Sequence, residues 1–183
     1  SGGTVELYPR PRASKGRGLQ SHGEAVDKAP AGRRTAVNLP DLSVEDIRKG
    51  EVLSHPDTLC PSMRGVVELS CLASAPRALR QRGEVRFHHG AREMAARLYF
   101  TDREKLAPGD SCLCEVRFSE PAVGVYGDRC VVRSFSPLRT VAGGVLLNPL
   151  GVDLGRRSRG FNERCDILRE LAAVNPVPSP EQR

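Results

Sequence analysis

The stretch Gly127-Asp128-Arg129-Cys130-Val131-Val132-Arg133-Ser134-Phe135-Ser136-Pro137-Leu138-Arg139-Thr140-Val141-Ala142-Gly143-Gly144-Val145-Leu146-Leu147-Asn148-Pro149 decides the fold. Gly127-Asp128 reads as a turn, after which Cys130, Val132 and Ser134 point one way and Val131, Arg133 and Phe135 the other, the two-residue period of a half-buried strand. Ser136-Pro137 ends that strand. A second run opens at Arg139-Thr140-Val141. Gly143-Gly144 is expected to bend it sharply before Val145, Leu146 and Leu147 carry it on, as a glycine kink turns a strand at a barrel corner. A closed barrel is the economical reading of two such runs.

Upstream, the same alternation predicts strands over 66–72, 84–88, 94–100 and 111–118, separated by turn residues at Pro76, Gly83, Gly90, Pro108-Gly109 and Pro121. Short runs of this kind belong to an all-β sandwich or barrel. Earlier still, a strand over 5–8 leads into the basic loop Arg10-Pro11-Arg12-Ala13-Ser14-Lys15-Gly16-Arg17, a strand over 18–21, and turns at His22-Gly23-Glu24 and Pro30-Ala31-Gly32. Residues 33–39 alternate again, which places Arg34, Ala36 and Asn38 on an open side and Thr35, Val37 and Leu39 toward a core. Ser43 with Asp46 three residues on makes a capping box for a one-turn helix over 44–49, and Gly50 suits its left-handed end. His55-Pro56-Asp57 reads as a linker.

Beyond Pro149 the composition shifts to glycine and arginine, with Arg156, Arg157 and Arg159 clustered. Phe161, Cys165, Leu168 and Ala172 then share one face at helical spacing, so one amphipathic helix is expected, followed by a disordered end at Pro176, Pro178 and Pro180. The expected organisation is therefore 1–57, 58–149 and 150–183: a partial barrel, a full barrel, and a basic linker with helix and tail.

Composition narrows the classes. Lys and Arg number 28 against 22 Asp and Glu, a formal charge of +6, which favours an anionic partner such as nucleic acid. No apolar run approaches the roughly 20 residues of a membrane-spanning helix. The six cysteines show no C-x-x-C pair, so they read as buried free thiols suited to a reducing cytoplasm rather than a metal or disulfide framework. His88-His89 is the one adjacent histidine pair, and on a strand its members face opposite ways with no convergent ligand set. Ser1-Gly2-Gly3 looks unlike a native start.

Asp128-Arg129, a strand ending in Arg133, Ser136-Pro137, Thr140 before a glycine pair, and Asn148-Pro149 together resemble the third domain of the selenocysteine-specific translation elongation factors. Other translation GTPases share Arg139-Thr140-Val141 and the glycines; the Ser-Pro step and the Leu-Leu-Asn-Pro ending point more narrowly. Ala142 stands where many relatives carry another glycine. Arg17-Gly18-Leu19-Gln20-Ser21-His22-Gly23, Ala31-Gly32-Arg33-Arg34-Thr35-Ala36-Val37-Asn38 and Asp46-Ile47-Arg48-Lys49-Gly50-Glu51-Val52-Leu53 are similar to domain two of that family. The resemblance, over about 5–149, implies an all-β fold: two β-barrels of the translation-factor type followed by a short C-terminal helix. The first would lack its opening strands.

The resemblance also implies a function. A factor of this family delivers selenocysteinyl-tRNA to the ribosome in the cytoplasm, uses GTP and Mg2+ in a separate GTPase domain, and reads a selenoprotein mRNA hairpin through further C-terminal modules. No Gly-x-x-x-x-Gly-Lys-Ser/Thr loop occurs in these 183 residues, so no catalytic residue, metal or cofactor is expected in them. Arg34, following Ala31-Gly32-Arg33, is implied to help form the aminoacyl pocket. A selenol ionises more readily than a thiol, and a fixed guanidinium favours an anion over the neutral hydroxyl of serine. His22, Arg17, Arg156, Arg157 and Arg159 are candidate RNA contacts. The competing readings are the barrels of another translation GTPase, such as the general elongation factor or an archaeal initiation factor gamma subunit, and a non-catalytic structural interaction module.

Overall fold

The computed structural model describes residues 2–152, 154 and 159–174. The chain divides into two compact units, Ser1–Cys60 and Pro61–Arg183. The fold is all-β with one closing helix.

In the first unit, β1 (Thr4–Tyr8), β2 (Arg12–Lys15), β3 (Gly18–Ser21), β4 (Glu24–Val26), β5 (Ala36–Asn38) and β6 (Val52–Ser54) form two antiparallel three-stranded sheets, ordered β2-β1-β6 and β4-β3-β5. Leu7 sits opposite Leu53 and, with Tyr8, is buried at the centre of the first sheet. In the second sheet Val37 stays 37% exposed, so the side of β5 expected to face a core is open. β5 is also shorter than its alternation suggests. Its partner β3 ends in the turn after Ser21, and the Arg34 carbonyl accepts from the Ser21 hydroxyl (3.4 Å) instead of from a strand. The helix expected over 44–49 is a single 3-10 turn, Val44–Asp46. Asp46 does complete the capping box, accepting from the Ser43 N–H (3.0 Å) and hydroxyl (2.7 Å). Ile47 is then extended, and Arg48 and Glu51 close a turn of their own.

The second unit contains β7 (Ser62–Cys71), β8 (Leu79–Arg80), β9 (Glu84–His89), β10 (Arg92–Phe100), β11 (Lys105–Leu106), β12 (Ser111–Ala122), β13 (Arg129–Arg133) and β14 (Thr140–Asn148), followed by α1 (Phe161–Val174). Six strands close a barrel in the order β10-β12-β7-β14-β13-β9, and β8 pairs with β11 outside the ring. Alternation puts Val67, Leu69, Val85, Phe87, Leu98, Val116 and Val132 in the lumen, none more than 3% exposed. Each such side chain contributes about 1.5–3 kcal/mol by leaving water.

The glycine pair does not break the second run. β14 is continuous, and its register irregularities fall at Val132/Arg133 and Leu146/Asn148. Gly144 serves a different need: a Cβ there would lie 2.4 Å from the Glu68 carbonyl oxygen of β7, so only glycine lets the two backbones approach. Gly143 has no such contact under 3.5 Å. On the outside of the ring, Val66, Leu113, Val145 and Leu147 pack with Cys165, Leu168 and Ala172 of α1. Tyr126 pins the far end of the helix by donating to the Leu171 carbonyl (2.8 Å).

Candidate functional site

The β3–β4 hairpin builds one opening. His22 (φ 53) and Gly23 (φ 86) occupy its two turn positions with positive φ, the requirement of a tight two-residue hairpin turn. The pairing of Gln20 with Ala36 brings the chain after Arg34 alongside this turn. Gln20, His22, Gly23, Arg34 and Ala36 line a shallow cavity of about 310 Å3. No carboxylate lines it, and Arg34 makes no ion pair among the described residues. A guanidinium, an imidazole and a primary amide beside a small methyl group make a surface suited to a small anion.

The other expected contacts lie elsewhere. Arg17 lines a separate opening of about 370 Å3 with Lys15, Gly16 and Asp41, and its N–H donates to the Asn38 carbonyl (3.0 Å). Asp41 there accepts from the Lys15 N–H (3.0 Å) and the Ser14 hydroxyl (3.1 Å), bonds that hold its carboxyl below the usual range. Arg159 belongs to the second unit, is exposed just ahead of α1, and offers its carbonyl to Arg164 (2.6 Å). Arg156 and Arg157 fall outside the described residues, as does the tail after Val174. Of the candidates in the first unit, the structure thus brings Arg34 and His22 to one opening and leaves Arg17 at another.

Two arrangements escaped the sequence reading. His89 is paired with Asp128 (Nε2 to Oδ2, 2.9 Å), which also accepts from the Val125 N–H (2.9 Å); strand register carries Asp128 to the end of β9. A larger cleft, about 750 Å3, opens at one end of the barrel beside Phe135 and three arginines. Among the described residues no three of His, Cys, Asp and Glu converge as a metal ion would need, and no helix is long and apolar enough to cross a membrane. Cys71, Cys112, Cys114, Cys130 and Cys165 are buried free thiols, whereas Cys60 is exposed. Burial pushes Cys112 and Cys130 up to about 12, which keeps both protonated and inert.

Comparison with known proteins places this geometry. Residues 66–151, from the middle of β7 to just beyond the end of β14, match the family model described as the beta-barrel domain of the selenocysteine-specific elongation factor. The chain is 56% identical over 173 residues to the selenocysteine-specific elongation factor of Desulfomicrobium baculatum, covering 94% of this chain and 27% of that protein. It is 25% identical over 176 residues to the factor of the same description from Haemophilus influenzae, covering 93% of this chain and again 27% of the relative. The chain therefore spans about a quarter of the length of the relatives it matches. By these matches the chain belongs to the selenocysteine-specific elongation factor family.

Proposed function

We propose that this chain binds the aminoacylated end of selenocysteinyl-tRNA within a cytoplasmic factor that brings it to the ribosome. GTP and Mg2+, and the selenoprotein mRNA hairpin, would be handled by parts of such a factor outside these 183 residues. The observation that carries the reading is the convergence of Arg34 and His22 on an opening without a carboxylate. Arg34 supplies the charge. Its planar fork gives a selenolate a charge-assisted hydrogen bond that a neutral serine hydroxyl receives only weakly. Ala36 leaves room for the aminoacyl group, and Gln20 offers a further donor.

The test compares dissociation constants for one tRNA charged with selenocysteine or with serine, on the full-length factor at fixed salt so that the phosphate contribution cancels. Arg34→Ala is expected to weaken the selenocysteinyl form about ten- to a hundredfold more than the seryl form, the value of one charge-assisted bond of roughly 1.5–3 kcal/mol. Arg34→Lys recovers part of this, because a flexible ammonium replaces the fork. An unchanged ratio returns Arg34 to an ordinary solvated charge.

A further inference from the structure

The barrel carries a second concave site that the Arg34 reading does not use. At the end where β7 and β13 finish and β9 and β14 begin, a cleft of about 750 Å3 is floored by Leu79, Val85, Leu98 and Val141. Arg77, Arg80, Arg139 and the Phe135 ring stand around it.

Both rims are tied in place. On one side the loop 134–139 is closed on itself: the Ser134 N–H donates to the Arg139 carbonyl (2.9 Å), the Arg139 N–H to the Ser134 Oγ (3.3 Å), and the Ser134 hydroxyl to the Pro137 carbonyl. Opposite, β8 is held by β11, and the Gly83 N–H donates to the Arg80 carbonyl (2.9 Å). A Cβ at Gly83 would meet that same carbonyl at 2.8 Å, so the rim keeps its shape only with glycine there. A cleft so framed is preformed, and its ligand need not order it.

Its chemistry is two-sided. The floor is apolar, with Val85, Leu98 and Val141 no more than 3% exposed. Phe135 stands 43% exposed, with the Arg86 guanidinium 5.1 Å from its ring centroid, an arrangement that fixes the ring. Arg77, Arg80 and Arg139 make no ion pair among the described residues. The one carboxylate in the lining, Glu84, is already taken by Arg97 at 2.5 Å. An exposed aromatic plate over an apolar floor, ringed by uncommitted guanidiniums, fits a ligand with a flat aromatic part and a phosphate.

We propose that this cleft is a nucleotide site, in which a base stacks on Phe135 above the apolar floor and its phosphate is held by Arg77, Arg80 and Arg139. The same chemistry is offered by an unpaired nucleotide of an RNA strand and by a free mononucleotide. A duplex does not offer it, because its bases are stacked inside the helix and only its phosphates are free. The residues lie in the second unit, so the fate of this site and that of Arg34 are separable.

The experiment titrates the 183-residue chain with three probes at one fixed moderate salt: a short oligouridylate, uridine monophosphate, and a short RNA duplex. Saturable binding of the oligouridylate over the duplex is the expected result. Phe135→Ala should weaken it about five- to a hundredfold, the range for removing one base–aromatic stack. Arg80→Gln and Arg139→Gln, on opposite rims, should each weaken it and flatten the dependence of affinity on salt. Because Phe135 and both arginines are exposed, thermal unfolding of the variants should match that of the parent, which keeps a binding loss from being a folding loss. Oligouridylate binding without uridine monophosphate binding identifies the source as an RNA strand; equal binding of the mononucleotide, also lost in Phe135→Ala, identifies a free nucleotide. No binding of either probe, binding of the duplex at least as tight, or indifference to Phe135→Ala and Arg80→Gln overturns the proposal. Arg34→Ala should leave all of these values unchanged.

Discussion

The two units begin from the same alternation and are held together by different forces. In the barrel each strand finds neighbours on both edges and a lumen on its inner face, so Val67, Leu69, Leu98, Cys114, Val116 and Val132 reach 0% exposure. In the first unit only Leu7, Tyr8, Pro9 and Ser14 are buried among the described residues, and Val37 and Val52 remain 37% and 39% exposed. Charge does there what packing does in the barrel. Arg10 pairs with Glu51 (2.6 Å), Arg12 reaches both Asp46 (3.0 Å) and Glu51 (3.7 Å), and the Glu51 carboxylate is itself only 3% exposed. An alternating strand guarantees one apolar face. Whether that face is covered depends on a second wall, which ring closure supplies and two small open sheets do not.

That contrast breaks most severely in the lumen. Phe87 is 2% exposed and packs against Phe118 with ring centroids 5.2 Å apart. Phe87→Ala is expected to cost the barrel about 3–5 kcal/mol, by lost transfer and an unfilled cavity. Amide exchange in β7 to β14 would report the loss. Unaltered protection across those strands would mean that the lumen is not what holds the barrel.

In the first unit the sensitive group is a carboxylate. Burial raises the pKa of Glu51, but the Arg48 N–H and the Arg10 guanidinium outweigh it and leave the group below the ordinary range. The sign follows directly: a depressed pKa contributes stability that is present above the ordinary carboxylate range and lost as pH falls through the folded value. Glu51→Gln keeps the shape and loses the charge, leaving Arg10 and Arg12 under-compensated. A loss of about 1–2 kcal/mol is expected at neutral pH, discounted because Arg10 is 45% exposed. Exchange at β1 and β6 measured at neutral pH and again near pH 3 should show the difference narrowing on acidification.

How much of this was legible in the sequence follows the same divide. The barrel strands were legible because period two and turn residues act locally, and the lumen residues are those the alternation selects. Gly143-Gly144 reads locally as a corner, whereas the close approach of β7 that requires glycine at 144 is a long-range fact that a glycine pair does not spell out. The shorter β5 and the 3-10 turn have the same origin: β3 runs out of pairing at Ser21, and Arg48 with Glu51 form a competing turn. Of the candidate site, residue types and the small neighbour Ala36 were visible, but the meeting of Arg34 with His22 depends on a hairpin turn with positive φ at a non-glycine residue. The cleft beside Phe135 was invisible because its two rims are more than fifty positions apart in the chain, at 76–80 and 134–139.

The smallest effect sharpens the comparison most, because it runs against the barrel's own rule. Glu68 lies on the outer face of β7, directly across from Leu113 on one side and Val145 on the other, both in the apolar cluster with α1. Its Oε2 is buried without a hydrogen-bond partner, and burial raises its pKa. A raised carboxylate pKa means that the folded state holds the proton more tightly than the unfolded chain does. The cost of ionising it is therefore in force above the folded pKa, and it disappears as pH falls below the unfolded value of about 4.3. Asp41, Asp46 and Glu51 in the first unit are all lowered and have the opposite dependence. Glu68→Gln should raise the barrel's Tm at pH 7 by up to a few degrees, since 1 kcal/mol shifts a domain of this size by roughly 4 °C. At pH 4 the variant and the parent should melt together. A Tm that falls at pH 7 would mean that the Glu68 carboxylate has a cation for company, and that the barrel too depends on charge where α1 crosses it.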